Sequence, residues 1–112
     1  MKRDPQTGNL IALWNPIPEY ITRRKPQNTW NGGRTPLVCS VSRDEGASWD
    51  EPMILEDQPD SGYCYVAMHF CQEHLLLAYC AGGPEDGGCL NRLRIRKMPV
   101  PGRQRSVEAV AG

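Results

Sequence analysis

One stretch constrains this chain more than any other: Ser42-Arg43-Asp44-Glu45-Gly46-Ala47-Ser48-Trp49. An apolar run, Leu37-Val38-Cys39-Ser40-Val41, leads into it, and Met53-Ile54-Leu55 leads out. Two β-favouring runs around a polar turn predict a hairpin. Asp44 can accept hydrogen bonds from turn N–H groups, as aspartate does in Asx-turns. Gly46 can take the positive φ that a side chain would resist. Ser48 can bond back to the loop, and the Trp49 ring is expected to tuck beneath the turn.

The rest of the chain reads as more strands of the same kind. Leu10–Trp14 follows an Asp-Pro-Gln-Thr-Gly-Asn turn, and Pro16 and Pro18 end it, because proline cannot donate to a ladder. Residues 15–33 read as a long irregular loop carrying Arg23, Arg24, Lys25 and Trp30. A strand over 37–42, the turn and a short strand over 53–56 follow. Tyr63–Phe70 and residues 74–80 read as a hairpin pair. After the glycine-rich loop 81–88, residues 90–97 alternate Leu93 and Ile95 with Arg92, Arg94 and Arg96, the pattern of a strand with one wet face. From Pro99 the chain reads as a polar, disordered tail (99–112), which leaves residues 1–98 as the folded part. About six antiparallel strands, with 11 glycines and 10 prolines and little amphipathic helix, predict an all-β protein.

Composition narrows the function classes. Thirteen basic and 13 acidic residues cancel, which argues against nucleic acid as a partner. No apolar run approaches the roughly 18 residues of a membrane span. Lys2 and Arg3 are followed by no apolar region, so no secretory leader is expected. The five cysteines, 39, 64, 71, 80 and 89, form no C-x-x-C pair. They are expected to be buried free thiols, with no metal and no organic cofactor. His69 and His74 lack ligand partners at metal spacing and read as structural. Trp14 and Trp30 read as core or loop anchors, with a sugar contact from Trp30 as the lesser option. Arg92, Arg94, Arg96 and Lys97 fit an exposed strand face as well as an anionic partner. Arg34 is a solvated loop arginine on composition alone. Tyr63 and Tyr65 are both candidates for chemistry, and simple alternation puts them on one face.

Ser42, Asp44, Gly46, Ser48 and Trp49 together resemble the Asp-box of the sialidase (neuraminidase) superfamily, with Ser48 where the box more often has Thr. Arg34, just before the strand that enters the box, and Tyr63, opening the strand run after it, stand in the order of the family's third arginine and its tyrosine. The resemblance covers about residues 4–98 and is closest to bacterial-type exo-alpha-sialidases. It implies a six-bladed β-propeller of four-stranded antiparallel blades. This chain would supply a C-terminal fragment of about one and a half blades, its first blade lacking an innermost strand. The implied activity is hydrolysis of terminal sialic acids from glycoconjugates with retention, through a tyrosine nucleophile. Arg34 would bind the substrate carboxylate and Tyr63 would attack the anomeric carbon. The five Asp-box residues would be structural. The activating glutamate, the other arginines and the acid/base aspartate would lie in N-terminal blades. The alternative is a non-catalytic Asp-box propeller module that binds glycan or protein.

On this reading the isolated chain, with few strands and open edges, is expected to aggregate or unfold readily and to hydrolyse no sialoside. Calorimetry tests the first point: a cooperative thermal transition of the monomeric 112-residue chain contradicts it.

Overall fold

A computed structural model describes residues 1–16 and 32–103. The expected loop residues Arg23, Arg24, Lys25 and Trp30 lie outside the described residues. Among the described residues the chain is all β apart from two short 3-10 turns, at Pro84–Asp86 and Cys89–Asn91. No described helix is long and apolar enough to cross a membrane. The strands are β1 (Lys2–Arg3), β2 (Leu10–Trp14), β3 (Leu37–Ser42), β4 (Met53–Glu56), β5 (Cys64–Cys71), β6 (His74–Cys80) and β7 (Leu93–Pro99). They form two antiparallel sheets, β1-β2-β3-β4 and β5-β6-β7.

The hydrophobic core lies where one face of each sheet meets the other. Ile11, Leu37, Cys39 and Val41 come from the first sheet, and Leu75, Leu77 and Tyr79 from the second. Within each strand these residues sit two apart, as the pleat requires of a face buried against a partner. Tyr63, Ala81 and Val100 close the cluster from outside the strands. The β5–β6 hairpin turns over Gln72 and Glu73, with Cys71 facing His74 in register.

Three features differ from the sequence expectations. The first sheet has four strands, because Lys2 and Arg3 pair with Ile11 and Leu10. A two-residue strand of charged residues carries no apolar pattern, so periodicity cannot find it. Tertiary contacts hold it: Lys2 Nζ donates to the Met68 carbonyl at 2.8 Å in the second sheet. Arg3 forks onto both Glu45 carboxylate oxygens at 2.7 and 2.8 Å.

The folded part also runs past residue 98. Pro99 ends β7, Val100 is buried and its N–H bonds the Glu73 carbonyl at 3.2 Å. Arg103 then grips the fully buried Asp4 carboxylate with two N–H donors, at 2.9 and 2.8 Å. The tail expected over 99–112 is thus structured through Arg103, because a buried carboxylate near the opposite end of the chain requires a cation. Residues 104–112 lie outside the described residues.

The facing of β7 is reversed. Leu93 and Ile95 are 67% and 68% exposed, while Arg94 and Arg96 turn inward toward Glu56. The alternation is as expected, but a buried acid claims the arginine face.

The Arg103 hydrogen bonds hold the Asp4 carboxyl down from an ordinary 3.8 to about 2, against the opposing effect of burial. A depressed acid stabilises the fold above its unfolded pKa and loses that contribution as pH falls through the folded one. Asp4 is therefore expected to contribute about 2 kcal/mol at neutral pH, lost between pH 3.8 and about 2. Acid unfolding of Asp4→Asn, followed by circular dichroism, should show less pH dependence in that window than the unmodified chain.

Candidate functional site

The Ser42–Trp49 turn is held together by its own side chains. Ser42 Oγ accepts the Gly46 N–H at 2.8 Å and donates to Asp44 Oδ1 at 2.9 Å. Asp44 accepts the Ser48 N–H at 2.8 Å and the Ser48 hydroxyl at 2.5 Å. These donors, the Ser48 hydroxyl foremost, hold the Asp44 carboxyl below its usual range. Gly46 takes φ 89°, the left-handed region that glycine enters without steric cost. The turn closes on β3 through Asp50 N–H to the Val41 carbonyl at 2.9 Å. Trp49 is 39% exposed at the end of the turn. It lines an apolar cleft with Ala12, Trp14 and Pro52.

Arg34 and Tyr63 meet at the junction of the two sheets. The Tyr63 N–H donates to the Arg34 carbonyl at 2.8 Å, so the segment entering β3 is tied to the segment entering β5. Both residues line a cleft of about 270 Å³ with Trp14, Asn15, Cys64 and Tyr65. Arg34 Nη1 donates to Cys64 Sγ at 3.0 Å, and Nη2 reaches the Tyr65 hydroxyl at 3.5 Å. The guanidinium carbon lies 5.0 Å from the centre of the Tyr65 ring, within cation–π range. The Tyr65 phenol, then the Cys64 sulfur, hold the Arg34 pKa above its usual range.

The two tyrosines do not share a face. The β5–β6 register shifts between Cys64 and Ala67, and Tyr65 takes φ 56°. A bulge of this kind interrupts alternation. Tyr63 is 1% exposed and Tyr65 is 70% exposed. The Tyr63 ring packs edge-on against Tyr79, centroids 6.4 Å apart. Burial raises the Tyr63 phenol pKa, partly countered by the Ser61 hydrogen bond.

Behind Tyr63 lies a polar network absent from the sequence expectations. Glu56, at the end of β4, is buried. One of its oxygens accepts the Tyr79 hydroxyl and Arg94 Nη1, both at 2.6 Å. Burial, then the Glu56 hydrogen bond, push the Tyr79 phenol up to about 12. Arg94 is raised in turn, chiefly by its bond to Glu56. A second cleft of about 540 Å³ borders this network, lined among others by Tyr63, Ser61, Asp86, Arg92 and Arg94. Asp86 and Arg92 pair across its rim at 3.0 Å. The hint available in the sequence was the run of arginines alternating with Leu93 and Ile95, but its facing depends on Glu56.

Among the described residues no group of three His, Cys, Asp or Glu side chains gathers as metal ligands would. All five cysteines are free: 39, 64 and 89 are buried, 80 is intermediate and 71 is exposed. Cys71 departs from the expectation of buried thiols because it sits at the β5–β6 turn. Compared with protein families, curated proteins and solved structures, the chain has no match.

Glu56→Gln removes the charge that Tyr79 and Arg94 share. The Tyr79 phenol is expected to ionise at lower pH in an ultraviolet difference titration. The fold should lose about 1–2 kcal/mol in urea denaturation, since Arg94 is partly solvated.

Proposed function

We propose that this chain is part of a sialidase-like glycoside hydrolase, with its two sheets as consecutive blades of a propeller. The observation that carries this reading is the union of Arg34 and Tyr63 in one cleft, tied by a 2.8 Å backbone hydrogen bond. Arg34 binds the carboxylate of a terminal sialic acid. Its donors rest on a sulfur and a phenol, weaker acceptors than a carboxylate that can take both N–H groups in parallel. The Tyr65 ring, stacked on the guanidinium, forms an exposed wall beside the bound sugar.

Tyr63 is the nucleophile. A sialoside carries its carboxylate on the anomeric carbon, where a neutral phenol meets less repulsion than a carboxylate does. The Tyr63 oxygen forms a bond to that carbon as the glycosidic bond breaks, and water later displaces the tyrosine with net retention. A raised phenol pKa calls for a base to take the proton. Glu56 is tied through one oxygen to Tyr79 and Arg94, and this reading does not assign it that task. This reading places the base, the acid and the further arginines on other blades.

A second reading, a non-catalytic propeller module that binds glycan or protein, draws on the near-complete burial of Tyr63. In that case Arg34 and exposed Tyr65 form a binding surface without chemistry.

The two readings separate on a fluorogenic sialoside assayed with the intact protein that contains this chain. Tyr63→Phe is expected to lower turnover by roughly 10³-fold or more, and Tyr65→Phe by less than about tenfold. Undiminished turnover in Tyr63→Phe removes the nucleophile assignment. Glycan binding by a protein that turns over no sialoside favours the module.

A further inference from the structure

We propose that Cys64 and Cys89 are an oxidisable thiol pair beside Arg34, closed into a disulfide by peroxide. Two sulfurs and one cation gather at the turn that precedes β3. Arg34 Nη1 lies 3.0 Å from Cys64 Sγ. A Cβ placed on Gly32 would lie 3.7 Å from Cys89 Sγ and 3.8 Å from Arg34 Cδ, so the second sulfur flanks the arginine side chain. The Cys89 thiol is raised by burial first and then by the neighbouring Cys64.

The backbone holds this arrangement from both sides. Cys64 opens β5 and faces Cys80 across the ladder. Two residues beyond Cys80, the Gly82 N–H donates to the Cys89 carbonyl at 3.0 Å. A Cβ on Gly82 would sit 2.1 Å from the Gly88 carbonyl oxygen. Only a bare glycine lets the Gly88–Cys89 segment lie this close to the sheet end, and that approach carries Cys89 to Cys64.

The five thiols differ in their fitness for this chemistry. Cys39 is buried in the core, and burial alone pushes it up to about 11. Cys71 is exposed at a turn. Cys64 alone has a cation bonded to its sulfur among the described contacts. It also lines the 270 Å³ cleft, which gives a small peroxide a route to a largely buried sulfur. Cys89 is held as the protonated thiol, by burial first and then by Cys64.

The chemistry balances with peroxide as the two-electron oxidant. The Cys64 sulfur attacks one peroxide oxygen, the O–O bond breaks, and the departing hydroxide is protonated to water. The sulfenic acid left on Cys64 is then attacked by the Cys89 sulfur. The S–S bond forms as the S–O bond breaks, and the Cys89 proton leaves with that hydroxide as a second water. Peroxide is reduced and both thiols are oxidised. Arg34 thereby loses its thiol partner in the cleft. The proposal depends only on this thiol geometry, so it can stand or fall apart from the sialoside reading.

The test treats the reduced intact protein that contains this chain with graded hydrogen peroxide, blocks remaining thiols with an alkylating reagent, and maps disulfide-linked peptides by mass spectrometry. The same treatment in concentrated urea supplies the unfolded control. The expected result is a Cys64–Cys89 linkage about 2 Da lighter than the two thiols, dominant in buffer and lost to mixed pairings in urea. In Cys89→Ser, Cys64 is expected to accumulate as sulfenic acid, trapped by dimedone. In Arg34→Gln, oxidation of Cys64 should slow by about tenfold or more. A dominant Cys64–Cys80 linkage overturns the proposal, as does oxidation confined to Cys71 or a buffer pattern identical to that in urea. An unchanged Cys64 oxidation rate in Arg34→Gln overturns the role given to the arginine.

Discussion

A buried carboxylate, Glu56, sets the geometry on which much of this molecule depends. It lies at the end of β4, at the meeting of the two sheets, and draws the Tyr79 hydroxyl and the Arg94 guanidinium onto one oxygen. A charge withdrawn from water needs donors and a countercharge. Among the described residues the arginines that reach it come from β7, which presents Arg94 and Arg96 inward. Leu93 and Ile95 are left facing solvent as a consequence. The hydrophobic effect would choose the opposite facing. One buried acid outweighs two exposed aliphatic side chains, each worth about 1.5–3 kcal/mol when fully buried.

A second constraint is the irregularity at Tyr65. Without the bulge, Tyr63 and Tyr65 would project together. With it, Tyr63 packs against Tyr79 in the interior, and Tyr65 swings out to lie against Arg34. The result is one cleft with a buried phenol below, an exposed phenol above and a guanidinium between two sulfurs and an aromatic ring. Arg34 is central both to the proposed carboxylate site and to the proposed thiol pair. The two roles compete for the same N–H donors.

The sequence made much of this legible, and the successes and failures have physical causes. The strands 10–14, 37–42, 53–56 and 74–80 have the bounds expected, because each is an apolar or β-branched run closed by turn residues. The turn after β3 was readable because its hydrogen bonds are local, between residues two to four apart. Arg34 and Tyr63 could be singled out as residues, but their joint cleft could not be inferred from local pattern. Strand β1 and the 99–103 segment were missed because their anchors are remote: Lys2 on Met68, and Arg103 on Asp4.

By itself, then, the sequence determined the all-β class, most strand positions and the turn that joins β3 to β4. These follow from side-chain alternation and short-range hydrogen bonding, which act between near neighbours on the chain. Tertiary structure alone decided which face of β7 is inner, which tyrosine is buried, that the folded part runs past residue 98 and what Arg34 touches. Those outcomes depend on how buried charges find partners across the fold, and partner choice at that range is invisible to any local pattern.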